Sequence, residues 1–124
     1  MRFLSPRVHG YLDYLVVVVF AVAPSLLGFS GTPAYLSWVL AGVHLSLTLL
    51  TAFPLGVVPV VPFAMHGMIE LAVGPLLVAG PWILGFSDLP ISRAFFIASG
   101  VAVFLVWLMT DYRRVPATAA TPGR

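Results

Sequence analysis

The sequence predicts an all-α membrane protein: four transmembrane helices, arranged as two tandem two-helix repeats around a pseudo-two-fold axis along the membrane normal. Three observations predict it. The 124 residues are 60% hydrophobic and only 8% charged, with a mean hydropathy of +1.07, whereas soluble domains carry roughly a quarter of their residues as Asp, Glu, Lys and Arg. No formally charged residue occurs between Asp13 and Glu70, between Glu70 and Asp88, or between Arg93 and Asp111. Finally, several short motifs recur at one constant spacing along the chain.

Each span follows from apolar length and helix breakers. A helix needs about 20 mostly apolar residues to cross a hydrocarbon core of roughly 30 Å. The first uncharged stretch holds two spans and a reversal; the next two hold one each. Gly28-Phe-Ser-Gly-Thr-Pro33 separates the first two helices. Phe53-Pro54-Leu-Gly-Val-Val-Pro59-Val-Val-Pro62 breaks the chain again, because proline removes backbone donors and clashes with a continuing helix. Ser87-Asp88-Leu-Pro90 is the third break. The expected helices cover about 8–29, 33–53, 64–86 and 91–111, giving one repeat over about 7–54 and another over about 64–112. Pro24, Pro75 and Pro81 fall inside spans, where buried neighbours make them tolerable. The Pro-rich connection 53–63 is unusually apolar for an aqueous loop and is expected at the interface or folded against the helix ends.

Arg2 and Arg7 precede an apolar run, and Ala21-Val22-Ala23 imitates a cleavage site. Pro24 follows directly and Asp13 interrupts the run, so this segment is expected to be a retained helix. Arg2, Arg7, Arg113, Arg114 and Arg124 flank the outer spans, and Arg93 alone marks the other side. The positive-inside rule then puts both termini in the cytoplasm of a multi-pass inner-membrane protein, and a prokaryotic cell membrane is expected. The net charge of +2 reflects topology and the lipid bilayer as partner; nothing points to nucleic acid. Protein partners are not legible, and a chain this small is compatible with a homo-oligomer. Residues 115–124 read as a disordered tail. The absence of cysteine excludes disulfides and thiolate metal sites.

The recurrence is specific. His9-Gly10 returns as His66-Gly67, and Asp13 is matched by Glu70. Pro24-Ser-Leu-Leu-Gly28-Phe29-Ser30 returns as Pro81-Trp82-Ile-Leu-Gly85-Phe86-Ser87, and Pro33 as Pro90. All pairs share an offset of 57 residues without a gap, which would make Val101 the counterpart of His44. Two spans per unit bring both copies into the membrane from the same side. In the repeated element proline bends the helix, glycine terminates it, and the aromatic is expected at interfacial depth, with Trp38 and Trp82 offering indole N–H groups to headgroups.

Gly80-Pro81-Trp82 and its partner Ala23-Pro24-Ser25 resemble the SPW-repeat family of small prokaryotic membrane proteins. There, a Ser-Pro-Trp motif lies in the first of the two transmembrane helices of a repeat. The resemblance covers roughly residues 7 to 112, although neither copy here spells the motif in full. It implies a four-helix membrane domain without an established activity.

Five ionisable residues fall within spans: His9, Asp13, His44, His66 and Glu70. Each costs roughly 2.5–3.5 kcal/mol on insertion scales and asks for a reason. In each repeat the histidine precedes the acid by four residues, one helical turn, so both lie on one face. At about 1.5 Å per residue, His9 and His66 lie within roughly 3 Å of their helix starts, and Asp13 and Glu70 about 7–9 Å in. His44 sits about 13 Å above the same side, closest in depth to the acids.

The leading expectation is a structural clasp, in which the histidines and acids satisfy one another and join helices that lipid gives little reason to associate. A proton or small-ion path is the main alternative, since Asp, Glu and His chains serve as membrane relays. A haem or metal ion bound by His9, His66 or His44 is a third reading, and no cofactor is required by the sequence. A di-iron carboxylate bundle would want more acids at a different spacing. An enzyme acting on a lipid or quinone through His and acid comes last, because no nucleophile motif, phosphate loop or HExxH pattern is present. No catalytic residue is assigned.

Overall fold

A computed structural model describes residues 2–113; the tail expected over 115–124, with Arg114 and Arg124, lies outside them. Four helices follow in order: α1 (Pro6–Leu27), α2 (Thr32–Leu50), α3 (Phe63–Ile83) and α4 (Pro90–Met109). Each is long and apolar enough to cross a membrane. The surface they present suits lipid. Leu26, Val43, Leu76 and Ile83 are 60–77% exposed, whereas His9, Asp13, His66 and Glu70 are at most 3% exposed. Apolar groups outside and ionisable groups inside reverse the arrangement that water enforces.

Local chemistry moves the helix ends by one to three residues from their expected places. α1 begins at Pro6 because Ser5 caps it: its hydroxyl accepts from the Val8 N–H, and proline suits the first helical position. α1 stops before Gly28 and α3 just before Gly85, both of which adopt left-handed backbone (φ 71° and 74°). That turn folds the next residue back over the helix end. Phe29 and Phe86 therefore point inward, against Phe95 and Phe96 at ring-centroid distances of 5.5 and 5.3 Å. Trp82 and Trp38 are both exposed, and the Trp38 indole donates to the Ala21 carbonyl at 3.2 Å.

The internal prolines do not end their helices. Pro24 has no N–H to give the Phe20 carbonyl one turn earlier. The Ser37 hydroxyl, from α2, donates to that carbonyl instead at 2.6 Å. The defect in α1 thus becomes a bond between helices.

Packing is chiefly α1 on α2 and α3 on α4. Gly74 and Gly100 let the latter pair approach closely; a Cβ on Gly100 would lie 2.5 Å from the Gly74 carbonyl oxygen. The halves meet at a central core of Phe20, Ala41, Leu77, Phe96 and Val103. They are also tied at the end of the bundle where Leu4 and Thr110 lie. Strand β1 (Thr51–Ala52), leaving α2, pairs in parallel with β2 (Val61–Pro62), which leads into α3. Thr110, leaving α4, pairs in parallel with Leu4, which leads into α1. The 53–63 connection folds against the helix ends: Phe53 is buried and stacks on Phe63 at 5.4 Å, and the Leu55 carbonyl accepts from Tyr14.

Candidate functional site

That end of the bundle gathers the five residues singled out in the sequence: His9, Asp13, His44, His66 and Glu70. Four-residue spacing puts His9 and Asp13 on one face of α1, and His66 and Glu70 on one face of α3. Those faces meet. His9 Nε2 lies 3.2 Å from Asp13 Oδ1 and 3.4 Å from Glu70 Oε2. His66 Nε2 lies 3.4 Å from both Asp13 Oδ2 and Glu70 Oε1. Each carboxylate therefore shows one oxygen to each imidazole. One donor atom from each of the four residues lies within 4.8 Å of the other three. His44 stands just outside this group: its Nε2 is 3.5 Å from Asp13 Oδ1, and its side chain is 16% exposed.

Two threonines at the ends of α2 and α4 decide how the imidazoles are protonated. Thr51 donates its hydroxyl to the Leu47 carbonyl at 2.6 Å, and the same oxygen is 2.8 Å from His66 Nδ1. Thr110 donates to the Val106 carbonyl at 2.6 Å, and its oxygen is 2.9 Å from His9 Nδ1. A hydroxyl has one proton. With that proton given to the helix, each threonine can only accept, so Nδ1 of both histidines carries the hydrogen. In the neutral imidazole Nε2 is then a bare lone pair, aimed at carboxylate oxygens.

With neutral imidazoles the cluster sets lone pairs against lone pairs. Among the described residues, Nε2 of His9, His44 and His66 and Oδ2 of Asp13 are buried without a hydrogen-bond partner. Such orphans are rare and costly in low-dielectric surroundings. Glu70 does have one donor, the Tyr112 hydroxyl at 2.7 Å from Oε2. Burial and the adjacent Glu70 carboxylate push the Tyr112 phenol well above its ordinary range, so it remains a donor.

Aromatic rings close the terminal side. Phe63 lies 5.2 Å and Tyr112 5.5 Å from the His9 ring, and Phe63 and Tyr112 pack at 4.7 Å. Glycine at positions 10 and 67 makes room for this lid. A Cβ on Gly10 would meet Phe53 at 2.7 Å, and one on Gly67 would meet Tyr112 at 2.7 Å.

Sequence reasoning assembled the five ionisable residues but missed Thr51, Thr110 and Tyr112. From the sequence, Thr51 reads as a residue bonding its own helix backbone or a neighbour, and Thr110 to Tyr112 as part of a stop-transfer end to the last span. A signal was available. Thr51-Ala-Phe53 and Thr110-Asp-Tyr112 repeat a Thr-x-aromatic pattern, but 59 residues apart, where a gapless comparison at 57 passes over it.

No protein-family model, curated protein or solved structure matches the chain. The reading of function therefore rests on the site alone.

Proposed function

We propose that the protein is a small membrane protein of the SPW-repeat type that holds one divalent transition-metal ion between its two repeats. His9, Asp13, His66 and Glu70 are the ligands. The observation that carries this reading is the pair of imidazoles whose Nδ1 atoms face threonine hydroxyls and whose Nε2 atoms lie 3.2–3.4 Å from oxygens of two carboxylates. One donor atom from each of the four residues lies within 4.8 Å of the other three, and rotation of the two carboxylates would bring them to the edges of about 3.3–3.4 Å of a tetrahedron with metal–ligand bonds of about 2.0–2.1 Å. The threonines supply what ligating histidines require, a fixed acceptor for the far N–H. Nitrogen and carboxylate donors without sulfur favour Zn²⁺ or Fe²⁺. The His9 and His66 rings, 5.3 Å apart, leave no room for a macrocycle between them, which disfavours haem.

The ion also answers the cost of burying two acids. Asp13 and Glu70 together carry two negative charges, which a divalent ion neutralises inside the bundle. On this reading the cytoplasmic termini, the inner membrane and the tandem symmetry form one picture. The two units share the offset of 57 residues from Leu4/Val61 to the left-handed glycines, and an offset of 59 from Thr51/Thr110 back along the second helices. Counted back from the threonines, the counterpart of His44 would be Val103, which is buried and lines the same cavity as His44. The repeat thus carries a two-residue insertion in α4.

Zinc titration of chelator-stripped protein in detergent tests the proposal. One equivalent per chain is expected, with uptake lost in Asp13→Asn/Glu70→Gln, and bound zinc should raise the unfolding temperature. Folded wild-type protein that takes up no Zn²⁺, Fe²⁺ or Co²⁺ would refute it.

The polar clasp is the second reading, favoured by the Tyr112–Glu70 hydrogen bond and by the contacts each acid makes to both histidines. In that case protons take the place of the ion, and the same residues matter for stability without any metal dependence.

A further inference from the structure

Both carboxylates face both imidazoles, but the groups standing behind them differ. Glu70 Oε2 accepts from the Tyr112 hydroxyl at 2.7 Å, while Oε1 lies 3.4 Å from His66 Nε2. Tyr112 ends the Thr-x-aromatic element of its half; in the other half that element ends in Phe53, which carries no hydroxyl. The two rings are placed alike, Tyr112 over Gly67 and Phe53 over Gly10. Asp13 therefore gets no phenol from the ring over its own helix. It has His44 instead, from about two helical turns deeper in α2 than Thr51. His44 Nε2 is 3.5 Å from Asp13 Oδ1, while Oδ2 lies 3.4 Å from His66 Nε2. Val103, the counterpart of His44, is apolar and offers Glu70 nothing. Each acid thus has one oxygen against an outside group and one left over. The engaged oxygens, Asp13 Oδ1 and Glu70 Oε2, are those beside His9, at 3.2 and 3.4 Å. Those left over both face His66.

We propose that Tyr112 and His44 are positioning residues that make the centre selective for zinc, each holding one oxygen of a carboxylate so that either acid gives the ion a single bond. The inference rests on the metal reading and adds which ion the site prefers. It puts the His44 proton on Nε2, which is buried, has no hydrogen-bond partner among the described residues, and faces Oδ1. A carboxylate pinned at one oxygen can still turn the other toward an ion, but it cannot chelate. Two imidazoles and two single-oxygen carboxylates make four ligands, the number Zn²⁺ takes in a tetrahedral site. Mn²⁺ favours octahedral, oxygen-rich sites and would need both acids to bind through both oxygens. That would strip the Tyr112 hydroxyl and the His44 N–H of their acceptors, and a buried donor without an acceptor is costly. The departure from two-fold symmetry has the same explanation: where Phe53 lacks a hydroxyl, His44 supplies the missing donor.

Metal binding to chelator-stripped protein in detergent separates the two levels. Wild type should take up one Co²⁺ per chain, with the intense visible absorption of tetrahedral cobalt, and Zn²⁺ should displace it. Tyr112→Phe keeps the ring, and His44→Val installs the residue of the other half; each deletes one donor. In each variant the cobalt bands should weaken as a fifth bond forms, and the ratio of zinc to manganese affinity should fall about tenfold. His44→Gln, which can return an N–H to the same place, should keep the wild-type spectrum and ratio. Wild type that binds neither Co²⁺ nor Zn²⁺ sinks the metal reading, and this inference with it. With metal bound, weak octahedral-type cobalt bands in wild type overturn the selectivity proposal alone. So does an unchanged ratio in Tyr112→Phe or His44→Val, including the equal loss for both ions that a merely structural role would give.

Discussion

Replacing Thr51 with valine tests the logic of the site more sharply than removing a ligand. Valine keeps the branched shape but deletes the oxygen that accepts from His66 Nδ1 at 2.8 Å. The Nδ1–H is fully buried and would be left without a partner, a cost of about 1–3 kcal/mol. The alternative is for His66 to change tautomer, moving its proton to Nε2, which faces Asp13 and Glu70. Nε2 then no longer offers a lone pair to a metal. Either way zinc affinity should fall by about 10–100-fold, the usual effect of losing an outer-shell partner. Thr110→Val should do the same through His9. Thr51→Ser retains the oxygen and should bind as wild type. Thr48→Val is the control: Thr48 is also buried, but its hydroxyl serves only the His44 carbonyl of its own helix. The assay is competition with a zinc chelator, run beside ¹⁵N spectra that report which ring nitrogen is protonated. Unchanged affinity in Thr51→Val, or an Nε2-protonated His66 in metal-free wild type, would refute the reasoning.

Three further outcomes follow from the same geometry. Gly67→Ala should destabilise the protein by about 1–3 kcal/mol through overpacking, because its Cβ would lie 2.7–2.9 Å from the Tyr112 ring; unfolding in mixed detergent measures it, and Gly42→Ala, where the space is open, should not share the loss. Ser37→Ala should cost about 1–3 kcal/mol by orphaning the Phe20 carbonyl, and less when combined with Pro24→Ala, which restores a backbone donor; a double-mutant cycle showing no coupling would contradict the proline account. Zinc affinity should weaken steadily as pH falls, because protons compete for both Nε2 atoms and both carboxylates; chelator competition at several pH values reads this, and a pH-independent constant would speak against these ligands.

Much of the architecture could be read from the chain because lipid imposes simple rules. Every backbone group in the hydrocarbon must be satisfied internally, so uncharged stretches bounded by glycine and proline can hardly be anything but helices. The ends were less legible. Thr51 and Thr110 terminate α2 and α4 earlier than hydropathy suggests, because their side chains and the strand-like pairings beyond them serve the other half of the molecule. Likewise, a proline inside a helix was visible at position 24, but not that Ser37 would answer it.

For the site, the division is equally physical. Spacing along one helix is a local property, so His9 with Asp13 and His66 with Glu70 followed from a period of 3.6 residues, and the common offset brought the two pairs to one depth. Distances across helices are not local. Only packing decided that each imidazole stands 3.2–3.4 Å from both carboxylates, that His44 reaches Asp13, and that Tyr112 folds back onto Glu70. The tautomers lie furthest from the sequence. They depend on hydroxyl oxygens 15 and 101 residues away from the rings they hold, and a hydrogen bond of that reach exists only once the helices have closed around it.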